Sequence, residues 1–176
     1  MDGTYTDIMV DIETTGLQPD NAAILQIGAV PFNYKTMEID TDNLFKVSLT
    51  MPKTRYWTDD TQSFWMGQNR EVYDRIMSEC VIWKDGMRKF YDYAIAQGDL
   101  NFWCKGLNFD WNFIESYYRD MELPMPFGFR DAIDLRSFCA GLLGQDEWKG
   151  VEKNTERSGE RSYVCSTTVR SYQSSA

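Results

Sequence analysis

Asp7-Ile8-Met9-Val10-Asp11-Ile12-Glu13-Thr14-Thr15-Gly16-Leu17 decides the reading of this chain. An apolar run ends in two carboxylates and a Thr-Thr-Gly turn. Side chains at i and i+2 of a strand leave one face, so Asp11 and Glu13 stand side by side while Ile12 points into a core. Two crowded acids repel unless positive charge lies between them. Oxygen donors suit hard cations such as magnesium or manganese, and a metal site is the leading reading. The plainer one is a solvated acidic strand end that turns at Gly16.

Outward from that strand, Asp7 to Ile12, the pattern predicts strands at Ile24 to Phe32 and Leu44 to Leu49 with polar connections, an antiparallel start. From Asp59 the period changes: Thr61, Phe64, Trp65, Gln68, Val72, Ile76 and Met77 recur at helical spacing. A second helix is expected over Trp83 to Ala96, stopping at Gly98. Leu100 to Cys104 reads as a strand, Phe109 to Met121 as a helix ended by Pro124 and Pro126, Ala132 to Ile133 as a brief strand and Leu135 to Leu143 as a last helix. Three strands followed by alternating helices and strands make a mixed α/β sheet flanked by helices.

The 176 residues suit one domain with a sizeable core, and 43% hydrophobic with 15% aromatic content is globular. No run approaches the roughly 18 apolar residues of a membrane helix. Met1-Asp2-Gly3-Thr4 lacks the pattern of a secretory signal. Cys80, Cys104, Cys139 and Cys165 form no CxxC pair, so a reduced cytoplasmic compartment is expected. A net charge of −9 argues against a protein that coats a duplex. It leaves room for an enzyme that holds a short strand at an acidic, metal-neutralised site. The chain contains no histidine, which removes the commonest general base at neutral pH.

A second acid follows a similar strand and glycine turn, in Cys104-Lys105-Gly106-Leu107-Asn108-Phe109-Asp110. Asp110 at a helix start is favoured by the helix dipole and able to cap. Capping alone would explain it in isolation. Taken with Asp11-Ile-Glu-Thr-Thr-Gly-Leu17, the Phe109-Asp110 pair resembles the second motif of the DnaQ-like, or DEDD, 3′-5′ exonuclease superfamily. Thr61, Phe64, Trp65 and Gln68, with Arg130-Asp131 and Asp134-Leu135-Arg136-Ser137, resemble its phage and actinobacterial 3′-5′ exoribonuclease-like branch, which includes the phage exonuclease DexA. The likeness runs over residues 7 to 145.

The resemblance implies a ribonuclease H-like fold over residues 1–148 and hydrolysis of single-stranded RNA or DNA 3′ ends with two Mg2+ or Mn2+ ions. It gives Asp11 the bridging position, Glu13 the ion that activates water and Asp110 a share of the second ion. Two such ions about 3.5–4 Å apart stabilise attacking and leaving oxygens together. Thr14, Thr15, Gly16 and Leu17 would offer hydroxyls, N–H groups and an apolar wedge to a terminal nucleotide. Trp65 and Phe109 would stack on bases, and Gln68 would hydrogen-bond a base or ribose. Core packing is the competing role for both aromatics, and an exposed glutamine is ordinary. Asp134 reads as a cap or structural acid, and Arg136 as an ion-pair partner or phosphate contact. Relatives of this type are often dimers, so a homodimer is a further expectation.

The family's last motif, His or Tyr followed by a fourth acid four or five residues on, is missing. Tyr163 and Tyr172 are the only tyrosines after Asp134, and neither precedes an acid at that spacing. Residues 149–176 turn rich in Ser, Thr, Arg and Glu, and read as an irregular, disordered tail. One codon choice for Glu156 to Ala176, shifted by one base, encodes an amphipathic helix with an Asp near the family's place, so a frame-shifted tail competes with a divergent one. The expected activity is therefore low. The alternatives are a nucleic-acid-binding pseudo-nuclease and a plain interaction domain with incidental acids.

Overall fold

The computed structural model describes residues 5–67, 70–146 and 149. Gln68 and nearly all of the tail from 149 to 176 lie outside the described residues.

Among the described residues seven strands form one sheet: β1 (Asp7–Thr14), β2 (Ile24–Asn33), β3 (Glu38–Ile39), β4 (Phe45–Leu49), β5 (Cys80–Val81), β6 (Asn101–Cys104) and β7 (Ala132–Asp134). Five α-helices accompany them: α1 (Asp59–Gly67), α2 (Arg70–Ser78), α3 (Trp83–Gln97), α4 (Leu107–Asp120) and α5 (Leu135–Leu143). The order across the sheet is β5-β4-β2-β1-β6-β7, with β3 beside β2. β1 runs antiparallel to β2 and parallel to β6, and β6 runs parallel to β7. This is the mixed, helix-flanked sheet that the alternation of periods predicts. None of the described helices is long and apolar enough to cross a membrane.

The pleat of β1 sorts its side chains as the sequence dictates. Ile8, Val10 and Ile12 enter the main core with Met87 and Phe90 of α3 and Phe113 and Tyr117 of α4. Met9 belongs to the opposite face, packed with Val30, Trp103 and Leu135, the first residue of α5. Asp11 and Glu13 share the parity of Met9, half-buried to either side of buried Ile12. Between Glu13 and Thr14 the register slips, so Leu25 is the extra residue on β2. Such a bulge re-aims side chains, and Leu25 leaves the main core to meet Trp65 and Ile76.

Differences from expectation are local. The helical stretch from Asp59 comprises two helices, α1 and α2. α4 begins at Leu107, two residues earlier than its pattern indicates. β3 and β5 span two residues each and carry no readable alternation.

Candidate active site

β1 continues past its pairing with β6, which spans only Asp7 to Met9. The backbone of Asp11 to Glu13 therefore has no sheet partner on the β6 side. α4 starts in that gap. Its first turn follows Gly106, whose φ of +119° demands glycine.

Asp110 does not cap its helix. Gly106 is the N-cap and supplies no side-chain bond. The cap comes from a distance: Leu107 N–H donates to Asp134 Oδ2 at 2.7 Å. Asp134 is also the N-cap of α5, where Ser137 N–H donates to Oδ1 at 2.7 Å. One carboxylate thus serves two helix starts. Partial burial works against the Asp134 charge, but these N–H bonds and the nearby Arg136 outweigh it and leave the carboxyl below its ordinary range. The expected capping or structural role of Asp134 is borne out.

Asp110, relieved of that task, is 5% exposed. Its pKa is pushed up to about 8, first by burial and then by the Asp11 charge; bonds from backbone N–H groups, including that of Ile12, and the Arg136 charge only partly offset this. Half-buried Asp11 on β1 and buried Asp110 on α4 thus lie near enough for one charge to oppose the other. Arg136 Nη1 lies 3.2 Å from where a Cβ on Gly106 would stand, so its charge sits over the turn that starts α4. Beside it an open groove of about 460 Å³ is lined by Gly106, Leu107, Asn108, Asp134, Arg136 and Ser137.

Carboxylate oxygens fit a hard divalent cation in kind. Among the described residues, however, no three acidic or cysteine side chains converge into a ready metal cage. Asp11 and Asp110 approach as a pair, with Glu13 along the same edge of β1.

The Thr-Thr-Gly turn is built inward. Thr14 Oγ1 donates to Gly16 O at 2.8 Å. Thr15 is fully buried; its hydroxyl donates to Tyr56 O (2.8 Å) and accepts from Ala23 N–H (2.7 Å). A Cβ on Gly16 would lie 2.8 Å from Thr58 Cγ2, so the chain passes too close for any other residue. Both hydroxyls donate to backbone carbonyls and hold the turn. Leu17 remains 71% exposed at the tip, as an apolar wedge requires.

Of the two roles left open for Trp65, core packing is the one its position fits. Its ring is 8% exposed, packed with Leu25 and Ile76, and its Nε1–H donates to Thr14 O at 3.2 Å. It supports the turn from beneath, and the exposed aromatic on α1 is its neighbour Phe64. Phe109 is half-buried against the main core, 4.9 Å from the Phe113 ring. Sequence reasoning also passed over Arg55, a buried cation beneath the loop after β1. A lone arginine in a polar stretch carries no signal for that.

The family comparison accords with this arrangement. The chain belongs to the Rv2179c-like 3′-5′ exoribonuclease domain family, whose pattern matches residues 6–163. Solved structures share its ribonuclease H-like fold at low identity. Cell-death related nuclease 4 (CRN-4) is 18% identical with a TM-score of 0.51, over 70% of this chain and 42% of that protein. E. coli exonuclease I with a dT13 oligonucleotide is 10% identical with a TM-score of 0.62, over 78% of this chain and 29% of that one. S. pombe Pop2p, in its Mg2+- and Mn2+-bound form, is 10% identical with a TM-score of 0.52, over 80% and 68%. The chain thus spans less than half of the first two proteins. No curated protein matches its sequence.

Proposed function

We propose that this chain is a metal-dependent 3′-5′ exonuclease of low turnover, acting on single-stranded RNA or DNA ends. The observation that carries the reading is Asp110, a buried acid set against Asp11 with no capping duty. Such a repulsion costs the fold stability, and a cation between the two would relieve it. Asp11, Glu13 and Asp110 would hold Mg2+ or Mn2+, which supplies a more acidic bound water and charge relief at the scissile phosphate. Leu17 would pack on the terminal nucleotide, backed by the turn that Thr14 and Thr15 stiffen. Phe109 would contribute its exposed edge to a base and Gln68 a hydrogen bond; Phe64 takes over the stacking role first given to Trp65. Arg136 would meet a phosphate at the groove. Thr61, Phe64 and Trp65 also support kinship with the phage DexA-type branch.

Low turnover follows from composition. The sequence has no histidine and no tyrosine followed by an acid at the family spacing after Asp134. Losing a general base typically costs about 10²–10⁴-fold. Labelled RNA and DNA strands incubated with Mg2+ or Mn2+ test this. Slow trimming, lost in Asp11→Ala, is expected. Brisk degradation by the purified chain would refute the impairment, and no binding or metal-induced rise in melting temperature would refute the site. The missing base also favours a second reading, a pseudo-nuclease that binds strands without cutting; binding with no trimming in manganese identifies it.

A further inference from the structure

We infer that Arg55 is a positioning residue for the nucleic-acid end: its buried guanidinium fixes the loop that presents Leu17 to the helix that carries Asp110. The inference deepens the exonuclease reading and rests on it.

Arg55 is 4% exposed, and it is the one buried lysine or arginine among the residues whose burial is described. Its Nη1 donates to Pro19 O and, at 2.9 Å, to Ala22 O, two carbonyls of the loop after β1. Its Nη2 donates to Ser116 Oγ at 3.0 Å and Asp120 Oδ2 at 2.7 Å, both on α4. The guanidinium carbon lies 4.1 Å from the centre of the Tyr117 ring, whose hydroxyl accepts from Ile24 N–H at 2.8 Å. One side chain therefore joins the segment after the Asp11–Glu13 strand to the helix bearing Asp110. A planar fork can do this; a point charge cannot reach both sets of acceptors.

Stability alone is a poor account of this device. Burying a charge costs several kcal/mol before its bonds repay it, and Nε has no partner at all. An apolar side chain would anchor a surface loop at less cost. What the fork adds is direction. Between the turn and the carbonyls that Arg55 holds stands Leu17, a large apolar side chain left exposed among the described residues. A wedge is useful only if its loop does not move, because ordering it at binding would be charged against affinity.

The test is a double-mutant cycle between Arg55→Lys and Leu17→Ala, read as affinity for a fluorescent single-stranded oligonucleotide with a free 3′ end. Binding is measured in Mn2+ well below each variant's melting temperature. Each single change is expected to weaken binding about tenfold, and the double change little more, because both remove the same contact. The Mn2+-induced rise in melting temperature is expected to persist in Arg55→Lys. Unchanged affinity in Arg55→Lys, or additive losses, would overturn the inference and leave Arg55 a structural brace. If Arg55→Lys does not fold, Asp120→Asn replaces it, since it loosens the same bridge from the partly exposed side. Failure of the unmodified chain to bind the strand overturns the exonuclease reading itself, and so is distinct from a failed cycle.

Discussion

Asp7 and Asp11 leave the same face of the same strand, and the structure uses them in opposite ways. Asp7, fully buried at the start of β1, accepts bonds from Thr6 Oγ1 (2.6 Å), Trp103 Nε1 (2.7 Å) and Asn101 Nδ2 (3.0 Å). At the other end Asp11 is half-buried, and its charge helps drive the pKa of Asp110 up to about 8. Burial is common to Asp7 and Asp110. The balance differs: donors surround the first, whereas at the second the N–H bonds only partly offset burial and a second acid. A buried acid matched by donors is part of the fold, and one set against a second acid is what the proposed cation would relieve.

The sharpest way to break that contrast is to remove Asp7. Asp7→Ala strands the indole N–H of buried Trp103, at about 1–3 kcal/mol for the unsatisfied group, and takes from half-buried Asn101 one of its two amide bonds, at about 1 kcal/mol. A loss near 3 kcal/mol in urea unfolding is expected, with the Mn2+ response of the surviving fold intact. A loss under about 1 kcal/mol would show that burial of Asp7 is not matched by its donors in the way described.

Asp134 lies between the two cases, an acid satisfied by donors but next to the site. Asp134→Ala removes the caps of α4 and α5 together, at about 1 kcal/mol each. The expected loss is about 2 kcal/mol by chemical denaturation. Ser137→Ala should cost much less, since the backbone N–H that Asp134 accepts remains. Equal losses in the two variants would refute the double cap.

Asp110→Asn should act with the opposite sign. The folded-state pKa lies above the unfolded one, so the wild-type protein's stability is fully present below about 4 and is lost as pH rises to about 8. The variant lacks this slope. It should gain on wild type progressively across that window and level off above it. It should also lose the metal-induced rise in melting temperature. In wild type that rise should grow as pH approaches 8, because the cation must displace the proton. A variant less stable than wild type at pH 8 would show that Asp110 is held by donors, as Asp7 is.

How much of this was legible depends on range. The alternation of Asp11, Ile12 and Glu13 follows from a period fixed by the backbone, and the structure keeps it. Asp110 was visible at a helix start, but its freedom from capping was not, because the acceptor is Asp134, 27 residues beyond the Leu107 N–H that it caps. Phe64 and Trp65 are adjacent on α1, and helical spacing alone cannot say which ring turns inward. The answer lies in the bulge that sends Leu25 towards Trp65. Thr14 and Thr15 look like donors to a ligand until the carbonyls of Gly16 and Tyr56 come within 2.8 Å. Arg55 has no local pattern, since its acceptors belong to a loop and a helix far away in sequence.

The smallest effect is expected where acid and donor meet in water. Arg119 Nη2 reaches Asp20 Oδ1 at 2.7 Å, with side chains 61% and 80% exposed. This pair joins the same loop and helix that Arg55 joins from within, so geometry alone would give it a similar weight. Exposure decides otherwise: such pairs contribute about 0.2–1 kcal/mol and weaken with salt. Asp20→Asn should therefore shift stability by under about 0.5 kcal/mol, an effect that vanishes at high salt, and leave oligonucleotide affinity unchanged. If it instead weakens binding as Arg55→Lys does, the loop is held from its surface, and the buried fork is not what aims Leu17.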